Sequence, residues 1–201
     1  MTGWRRLRWG LWGVALVAVL GAGLVWWTQP RPGTVVVESG RALVGGPFTL
    51  VDGAGREVTE QDFHGQPFAV FFGFTHCPDI CPTALWEMTT WIDALGDEAD
   101  AMRFAFVTVD PERDTPDVMQ AYVGSFTDRI VPLTGTLEQV EAVLRAYRVY
   151  ARKVPLEGGD YTMDHSTMVY LMDRNGDYAA HLPHGESPER AVERLRELLR
   201  S

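Results

Sequence analysis

The sequence predicts an α/β fold in which strands and helices alternate around a partly parallel sheet. Two uncharged and mostly apolar runs, Phe68 to Phe74 and Phe104 to Val109, are typical of strands buried on both faces. A helix-start signal follows each of them, Pro82 after the first and Thr115-Pro116 after the second. This alternation predicts neighbouring parallel strands that are joined through helices.

The segments on either side of these runs predict a hairpin and a further helix. Short apolar stretches flank Asp52-Gly53-Ala54-Gly55, and this turn-rich sequence predicts an N-terminal β-hairpin between them. Thr136 and Gln139 have the spacing of a capping box, which predicts a helix that runs to about Arg148.

The C-terminal part of the chain predicts a loop, a second hairpin and a last helix. We predict a long polar loop from Ala151 to Asp164. Val169 to Met172 and Tyr178 to His181 flank a turn that contains Asn-Gly, and Ser187-Pro188 starts an amphipathic helix. This order of elements is that of a thioredoxin-like fold with insertions, and fold alone does not define a function.

The N-terminus predicts a membrane anchor. Three arginines within the first eight residues precede Trp9 to Trp27, a run of 19 residues without a charge, and about 20 such residues suffice to cross a bilayer as a helix. Tryptophans cluster near both ends of this run, as they do at membrane interfaces. The alternative is a cleaved signal peptide. We predict four segments: a basic cytoplasmic N-terminus (1–8), a transmembrane helix (9–27), a tether (28–43) and a folded domain (44–201).

Charge and composition indicate where the folded domain lies and what it does not bind. Because basic residues stay inside, the domain is expected on the outer, periplasmic face of a bacterial inner membrane, as part of a single-pass protein. A hydrophobic content of 46% with 22% charged residues describes a globular chain. The net charge is −9, and the part after the three arginines carries −12, so we expect no nucleic-acid partner.

Cys77 and Cys81 are the only cysteines of the chain, and they lie four residues apart directly after the first buried run. Residues at i and i+4 share one face of a helix, so a strand-to-helix turn can bring both sulfurs to one point. A helix N-terminus also favours thiolates. The pair can form a disulfide or bind a soft metal, and the two cysteines alone leave both open. Structural zinc needs four protein ligands, so copper is the better metal candidate.

Among the five histidines, His165 is the best candidate for a third ligand. It lies just before a predicted strand, where thioredoxins carry a cis-proline packed against their cysteines, and no proline occurs between Pro155 and Pro183. A side chain can therefore face the thiols there, although a lone histidine is usually structural. His76 is adjacent to Cys77 and is expected to point away from the sulfurs in an extended backbone. The other three are expected at the surface: His64, His181 and His184.

Five motifs occur in order between Gly46 and Asp177 and together carry a resemblance. The first is Phe72-Gly73-Phe74-Thr75-His76-Cys77-Pro78-Asp79-Ile80-Cys81-Pro82. The others are Val109 to Thr115, Leu133 to Thr136, Arg145 to Tyr150 and Asp164 to Thr167. They resemble the Sco (SenC) family of copper chaperones, whose members also carry one N-terminal membrane anchor.

The resemblance implies a function and a set of ligands. It implies that Cys77, Cys81 and His165 bind copper. We expect Cu(I), because soft sulfur donors select it, and this ligand set could also accept Cu(II). It implies a role in assembling the dinuclear copper centre of cytochrome c oxidase. The expected partners are the copper-site subunit of that oxidase and a second periplasmic protein, either another copper chaperone or a thiol reductant.

Residues beside the proposed ligands are expected to shape the site. Asp164 either orients His165 through a hydrogen bond or is an exposed loop carboxylate. Three residues of the second motif are expected to shape the neighbouring loop without touching metal: Asp110, Arg113 and Asp114.

Two enzyme classes remain as alternatives. Cys77 and Cys81 could serve a thiol-disulfide reductase that keeps the acceptor's cysteines reduced for metal insertion. The three residues between the cysteines and the missing cis-proline count against an efficient thioredoxin. A peroxiredoxin-like peroxidase is a weaker hypothesis, because the spacing between Thr75 and Cys77 differs from that family's.

Overall fold

The computed structural model describes residues 44–201. The predicted basic N-terminus, transmembrane helix and tether all lie outside these described residues. Between Val44 and Ser201, no helix has the length and apolar character needed to cross a membrane.

A seven-stranded mixed sheet and a separate two-stranded ribbon hold the strands of residues 44–201. In chain order the strands are β1 (Thr49–Asp52), β2 (Glu57–Thr59), β3 (Phe68–Gly73), β4 (Arg103–Thr108), β5 (Ile130–Thr134), β6 (Ala151–Pro155), β7 (Tyr161–His165), β8 (Val169–Met172) and β9 (Tyr178–Leu182). The sheet order is β2-β1-β5-β4-β3-β8-β9, and β6 and β7 form the ribbon. The α-helices are α1 (Ile80–Leu95), α2 (Pro116–Gly124), α3 (Leu137–Ala146) and α4 (Pro188–Arg200), and short 3₁₀ helices occur at Glu60–Phe63 and Gly96–Ala101.

The predicted α/β fold with an N-terminal hairpin is confirmed. β3, β4 and β5 run parallel, and β1 and β8 join this parallel group antiparallel on its two sides. Every residue of β3 is buried, as its apolar sequence predicted. Neighbouring residues of a strand face opposite sides of the sheet. Thus Phe72 packs on Tyr147 after α3, whereas Phe71 and Gly73 face the side that carries the site described below.

Side-chain caps mark the starts of two of the α-helices, α3 and α4. Thr136 Oγ1 accepts a hydrogen bond from the Gln139 amide at 3.2 Å, and Gln139 Oε1 accepts one from the Thr136 amide at 2.8 Å. This is the predicted capping box. At α4 the cap is a single bond, in which the Ser187 hydroxyl oxygen accepts from the amide of Arg190.

The predicted loop from Ala151 to Asp164 is wrong, because the segment forms β6, a tight turn and β7. The sequence does not indicate these two strands, because they are polar and half exposed along most of their length. β5 was also missed. It contains Pro132, which cannot donate to a sheet and which argues against an interior strand. The β5 strand nevertheless lies between β4 and β1.

Candidate metal centre

The two cysteines lie in the turn between β3 and α1. The Cys77 amide donates to the carbonyl of Phe74 at 3.3 Å, which bends the chain after β3. The helix α1 begins at Ile80, so Cys81 lies in its first turn, and the Cys81 amide donates to Cys77 Sγ at 3.3 Å. Both thiols are free, with Cys81 buried and Cys77 partly exposed. The helix N-terminus thus holds one accessible sulfur and one hidden sulfur.

Gly73 makes the space that Cys81 occupies. A Cβ atom at this position would lie 2.8 Å from Cys81 Sγ and 2.8 Å from Phe106 Cε2. Ordinary van der Waals contacts begin at about 3.4 Å, so any side chain here would displace the sulfur or the ring. The need for glycine comes from this close approach, and the first motif already contains it.

His165 reaches the cysteines from the end of β7. Its Nε2 lies 3.5 Å from Cys81 Sγ. Its Nδ1 lies 2.8 Å from the carbonyl oxygen of Ser166, which can only accept, so Nδ1 carries the proton and Nε2 presents its lone pair. The rings of Phe74 and Phe71 meet the imidazole edge to face, with centroids 5.7 and 6.2 Å away. The ring is therefore fixed with its free nitrogen towards the sulfurs.

The three ligand atoms converge on one point. The sulfurs of Cys77 and Cys81 and the His165 nitrogen all lie within 4.8 Å of one another. Two ligands on opposite sides of one ion, with bonds of about 2.0–2.3 Å, are about 4.0–4.6 Å apart. The present separations thus fit a single ion after small adjustments. Within residues 44–201 this is the one cluster of three such ligands, so the part of the chain described here offers no fourth cysteine or histidine ligand for a zinc site.

The pKa values of the two thiols are shifted in opposite directions. A hydrogen bond from the Cys81 thiol lowers the pKa of Cys77 to about 3, against the opposing effect of burial. Bonds from the backbone amides of Asp79 and Cys81 add to this effect. The hydrogen bond to Cys77 and the burial of Cys81 raise the pKa of Cys81. At neutral pH the pair therefore carries one negative charge and one proton, and a metal ion must displace that proton to gain the second thiolate.

A buried carboxylate anchors the cysteine loop through hydrogen bonds to Thr75. Asp114 is fully buried and accepts hydrogen bonds from the Thr75 hydroxyl at 2.6 Å, the Thr75 amide at 3.1 Å and the Thr108 hydroxyl at 2.6 Å. His76 turns its Nδ1 towards this group, 3.1 Å from Thr75 Oγ1, and half of its side chain is exposed. Asp114 thus shapes the loop as predicted, and His76 does not join the ligand cluster.

Asp164 does not contact the ring of His165. Neighbouring residues of β7 face opposite sides, so Asp164 points away from the side where His165 lies. Its carboxylate is exposed and pairs with Arg152 across the ribbon at 3.6 Å. His165 Nδ1 donates its hydrogen bond to the carbonyl oxygen of Ser166 instead of to this carboxylate.

The other histidines lie away from the ligand cluster. His181 Nδ1 lies 2.6 Å from the Tyr178 hydroxyl, and His184 Nδ1 lies 3.6 Å from a carboxylate oxygen of Glu87. His64 lies beside the turn at Gly176. None of them belongs to the group of converging metal ligands in the described domain.

The comparisons with known proteins agree with this geometry. A family model described as SCO1/SenC matches residues 36–200. The chain belongs to the SCO1/SenC family. Within it, this chain is similar to the structure of Bradyrhizobium japonicum ScoI with copper bound, at 44% identity and a TM-score of 0.73. That match covers 77% of this chain and 99% of the other.

Two yeast proteins extend the SCO1/SenC comparison. Yeast Sco1 with copper bound is 36% identical with a TM-score of 0.73, and the match covers 80% of this chain and 90% of that structure. The mitochondrial protein SCO2 of Saccharomyces cerevisiae is 38% identical over 167 residues, which are 81% of this chain and 55% of the relative. This chain spans about half the length of such curated relatives, with 55%, 51% and 47% for three of them.

Proposed function

We propose that this protein is a copper chaperone that carries Cu(I) on Cys77, Cys81 and His165. The observation that carries the proposal is the convergence of two sulfurs and one free imidazole nitrogen within 4.8 Å. Soft sulfur ligands select Cu(I), and a three-ligand site suits it better than zinc. The copper-bound structures of the Bradyrhizobium and yeast relatives support the same choice of metal.

The unequal exposure of the ligands suits loading and release in steps. Cys77 is already a thiolate at neutral pH and is partly exposed, so it meets incoming Cu(I) first. Cys81 then exchanges its proton for the metal, and His165 Nε2 completes the site without changing its protonation. On release, thiolates of an acceptor replace these ligands one at a time, starting at the exposed sulfur.

The proposed acceptor is the copper-site subunit of cytochrome c oxidase, at its dinuclear copper centre. The resemblance to the Sco family supports this partner. We further propose that residues 9–27 anchor the protein in the bacterial inner membrane, with the domain on the periplasmic face. An anchor beside a membrane-bound acceptor raises the effective concentration, so a weak and transient complex suffices.

A thiol-disulfide reductase is the second candidate, and the unequal thiols favour it. In this reaction the Cys77 thiolate attacks an acceptor disulfide, forms a mixed disulfide and releases one acceptor thiolate. Cys81 then loses its proton and attacks Cys77, which releases the second acceptor thiolate. The acceptor gains two electrons and the protein ends with a Cys77–Cys81 disulfide.

One set of measurements separates the two candidates. The reduced protein is titrated with Cu(I) under anaerobic conditions against a competing chelator, beside His165→Ala. The chaperone proposal expects the variant to bind Cu(I) more weakly while it still reduces a peptide that carries the acceptor's two cysteines as a disulfide. Equal and weak copper binding by both proteins, with rapid disulfide reduction by both, contradicts the chaperone proposal and supports the reductase. Oxidase assembly in a deletion strain complemented with each protein then tests the acceptor.

A further inference from the structure

The ribbon of β6 and β7 carries His165 but does not pair with the main sheet. A two-stranded hairpin is marginally stable by itself, so contacts with the rest of the domain must hold it in place. At the His165 end, Ser166 and Tyr150 exchange hydrogen bonds of 3.0 and 3.1 Å. These bonds join the two strands of the ribbon and do not dock it on the domain.

One docking contact lies at the other end of β7, at Tyr161, and a second is the ion pair of Lys153 on β6 with Glu112 at 2.7 Å. The Tyr161 hydroxyl donates to Asp110 Oδ1 at 2.9 Å, and the Arg113 Nη1 donates to the Tyr161 carbonyl at 3.0 Å. The guanidinium of Arg113 also lies over the Tyr161 ring, 3.8 Å from its centroid. Tyr161 therefore touches the loop after β4 through its hydroxyl, its ring and its backbone.

The partners of Tyr161 are themselves rigid. Asp110 is 2% exposed and pairs with Arg113 Nε at 2.5 Å, and its amide donates to the buried Thr108 hydroxyl. A buried ion pair with several hydrogen bonds has little freedom to move, because any shift leaves a charge without its partner. Tyr161 is thus docked on a loop that the Asp110–Arg113 ion pair and the bond to Thr108 hold in place.

Two routes connect this docked residue to the metal ligand. Tyr161 and His165 lie four residues apart on the same face of β7, about 13 Å along the strand, so a rotation of the ribbon at one moves the other. The Arg113 guanidinium also lies 5.9 Å from the ring of Phe74, and Phe74 packs edge to face against His165.

We propose that Tyr161, docked on Asp110 and Arg113, is a positioning residue that holds His165 at the metal site. The proposal rests on the proposed copper-binding function. Tyr161 touches no ligand atom, so its effect on copper passes through the ribbon and His165. Removing the docking contact leaves the dithiol intact and lets the third ligand withdraw.

The test compares full-length proteins in detergent by anaerobic Cu(I) titration against a chelator. Tyr161→Phe removes the hydroxyl alone, and Tyr161→Leu also removes the ring beneath Arg113. We expect Cu(I) affinity to fall about 10-fold in the first and up to about 100-fold in the second, as for other residues that orient a metal ligand. Tyr178→Phe is the matched control, because its hydroxyl also makes one hydrogen bond, 2.6 Å from His181 and away from the ligands. The control is expected to bind Cu(I) like the wild type.

A second comparison separates positioning from a general loss of structure. In a His165→Ala background, Tyr161→Phe is expected to change Cu(I) affinity no further. The alkylation rate of Cys77 is expected to be the same in Tyr161→Phe as in the wild type. An equal loss of affinity with and without His165, or wild-type affinity in Tyr161→Phe, overturns the positioning role and leaves the copper function standing. If the wild type and His165→Ala bind Cu(I) equally weakly, the copper function itself fails, and this role fails with it. If Tyr161→Leu does not fold, Tyr161→Phe decides.

Discussion

Replacing Gly73 with alanine tests whether the space for the buried thiol is set by the backbone of β3. The new Cβ would lie 2.8 Å from both Cys81 Sγ and Phe106 Cε2. An ordinary contact needs about 3.4 Å or more, so the sulfur or the ring must move by about 0.6 Å. Both neighbours are fully buried, and overpacking of this kind costs about 1–3 kcal/mol of the free energy of unfolding.

The effect of Gly73→Ala can be measured both as a lower thermal unfolding midpoint and as a lower Cu(I) affinity. For a domain of this size, about 1–3 kcal/mol corresponds to a fall of roughly 2–12 °C in the midpoint of thermal unfolding under reducing conditions. Displacement of Cys81 Sγ also disturbs the ligand triangle, so Cu(I) affinity is expected to fall by about tenfold or more. Both quantities are measured on the same preparation, by calorimetry and by chelator competition.

Gly124→Ala is the matched control for this substitution. Its Cβ would lie 3.7 Å from Gln120 Nε2, an ordinary contact, and the residue ends α2. We expect an unchanged or slightly higher unfolding midpoint and unchanged Cu(I) affinity, since alanine favours helix over glycine. If Gly73→Ala unfolds at the wild-type temperature and binds Cu(I) as tightly, the close approach of Gly73 to Cys81 is not what shapes the site.

Three further predictions concern the groups around the ligands. Because the pKa of Cys77 is about 3, its alkylation rate is expected to stay constant between pH 5 and 8 and to fall only near pH 3. The alkylation rate of an ordinary thiol rises about tenfold per pH unit over the neutral range. Such a rise for Cys77 would contradict the low pKa. Thr75→Val removes a hydrogen bond to the buried Asp114 and is expected to lower the free energy of unfolding by about 1.5–3 kcal/mol in urea unfolding curves. The control Thr90→Val, which removes only a solvent-exposed bond to Trp86, is expected to cost at most about 0.5 kcal/mol. Equal effects would show that Asp114 does not anchor the loop. Asp164→Asn is expected to keep Cu(I) affinity within about twofold, since its exposed carboxylate faces away from the site; a large loss would give it a role in holding His165.

Local signals made most of the elements and both cysteine ligands predictable. The apolar β3 run, the capping box at Thr136 and the Asn-Gly turn before β9 each lie within a few residues of the structure that they specify. The i, i+4 spacing of Cys77 and Cys81 similarly acts within one helical turn. Interactions of this range leave a clear pattern in the sequence, so the prediction needed no knowledge of the packed domain.

The ribbon and β5 were beyond prediction because their stability comes from distant partners. β6 and β7 are too polar to show a buried face, and β5 is accepted in the sheet despite Pro132 because β4 and β1 pair with it. The role of Tyr161 likewise depends on Asp110, 51 residues earlier in the chain. Such contacts leave no periodicity in the sequence.

The sequence by itself indicated the three candidate metal ligands, the positions of the apolar strands and of most helices, and the apolar N-terminal run that predicts an anchor. Only the tertiary structure decided that His165 Nε2 comes within 3.5 Å of Cys81, 84 residues away, that Ser166 and not Asp164 orients the ring, and that Gly73 clears space for the sulfur. The physical reason is range. Hydrogen bonds and spacing within one turn are encoded locally, whereas the ligand triangle depends on how a separate ribbon packs on the sheet.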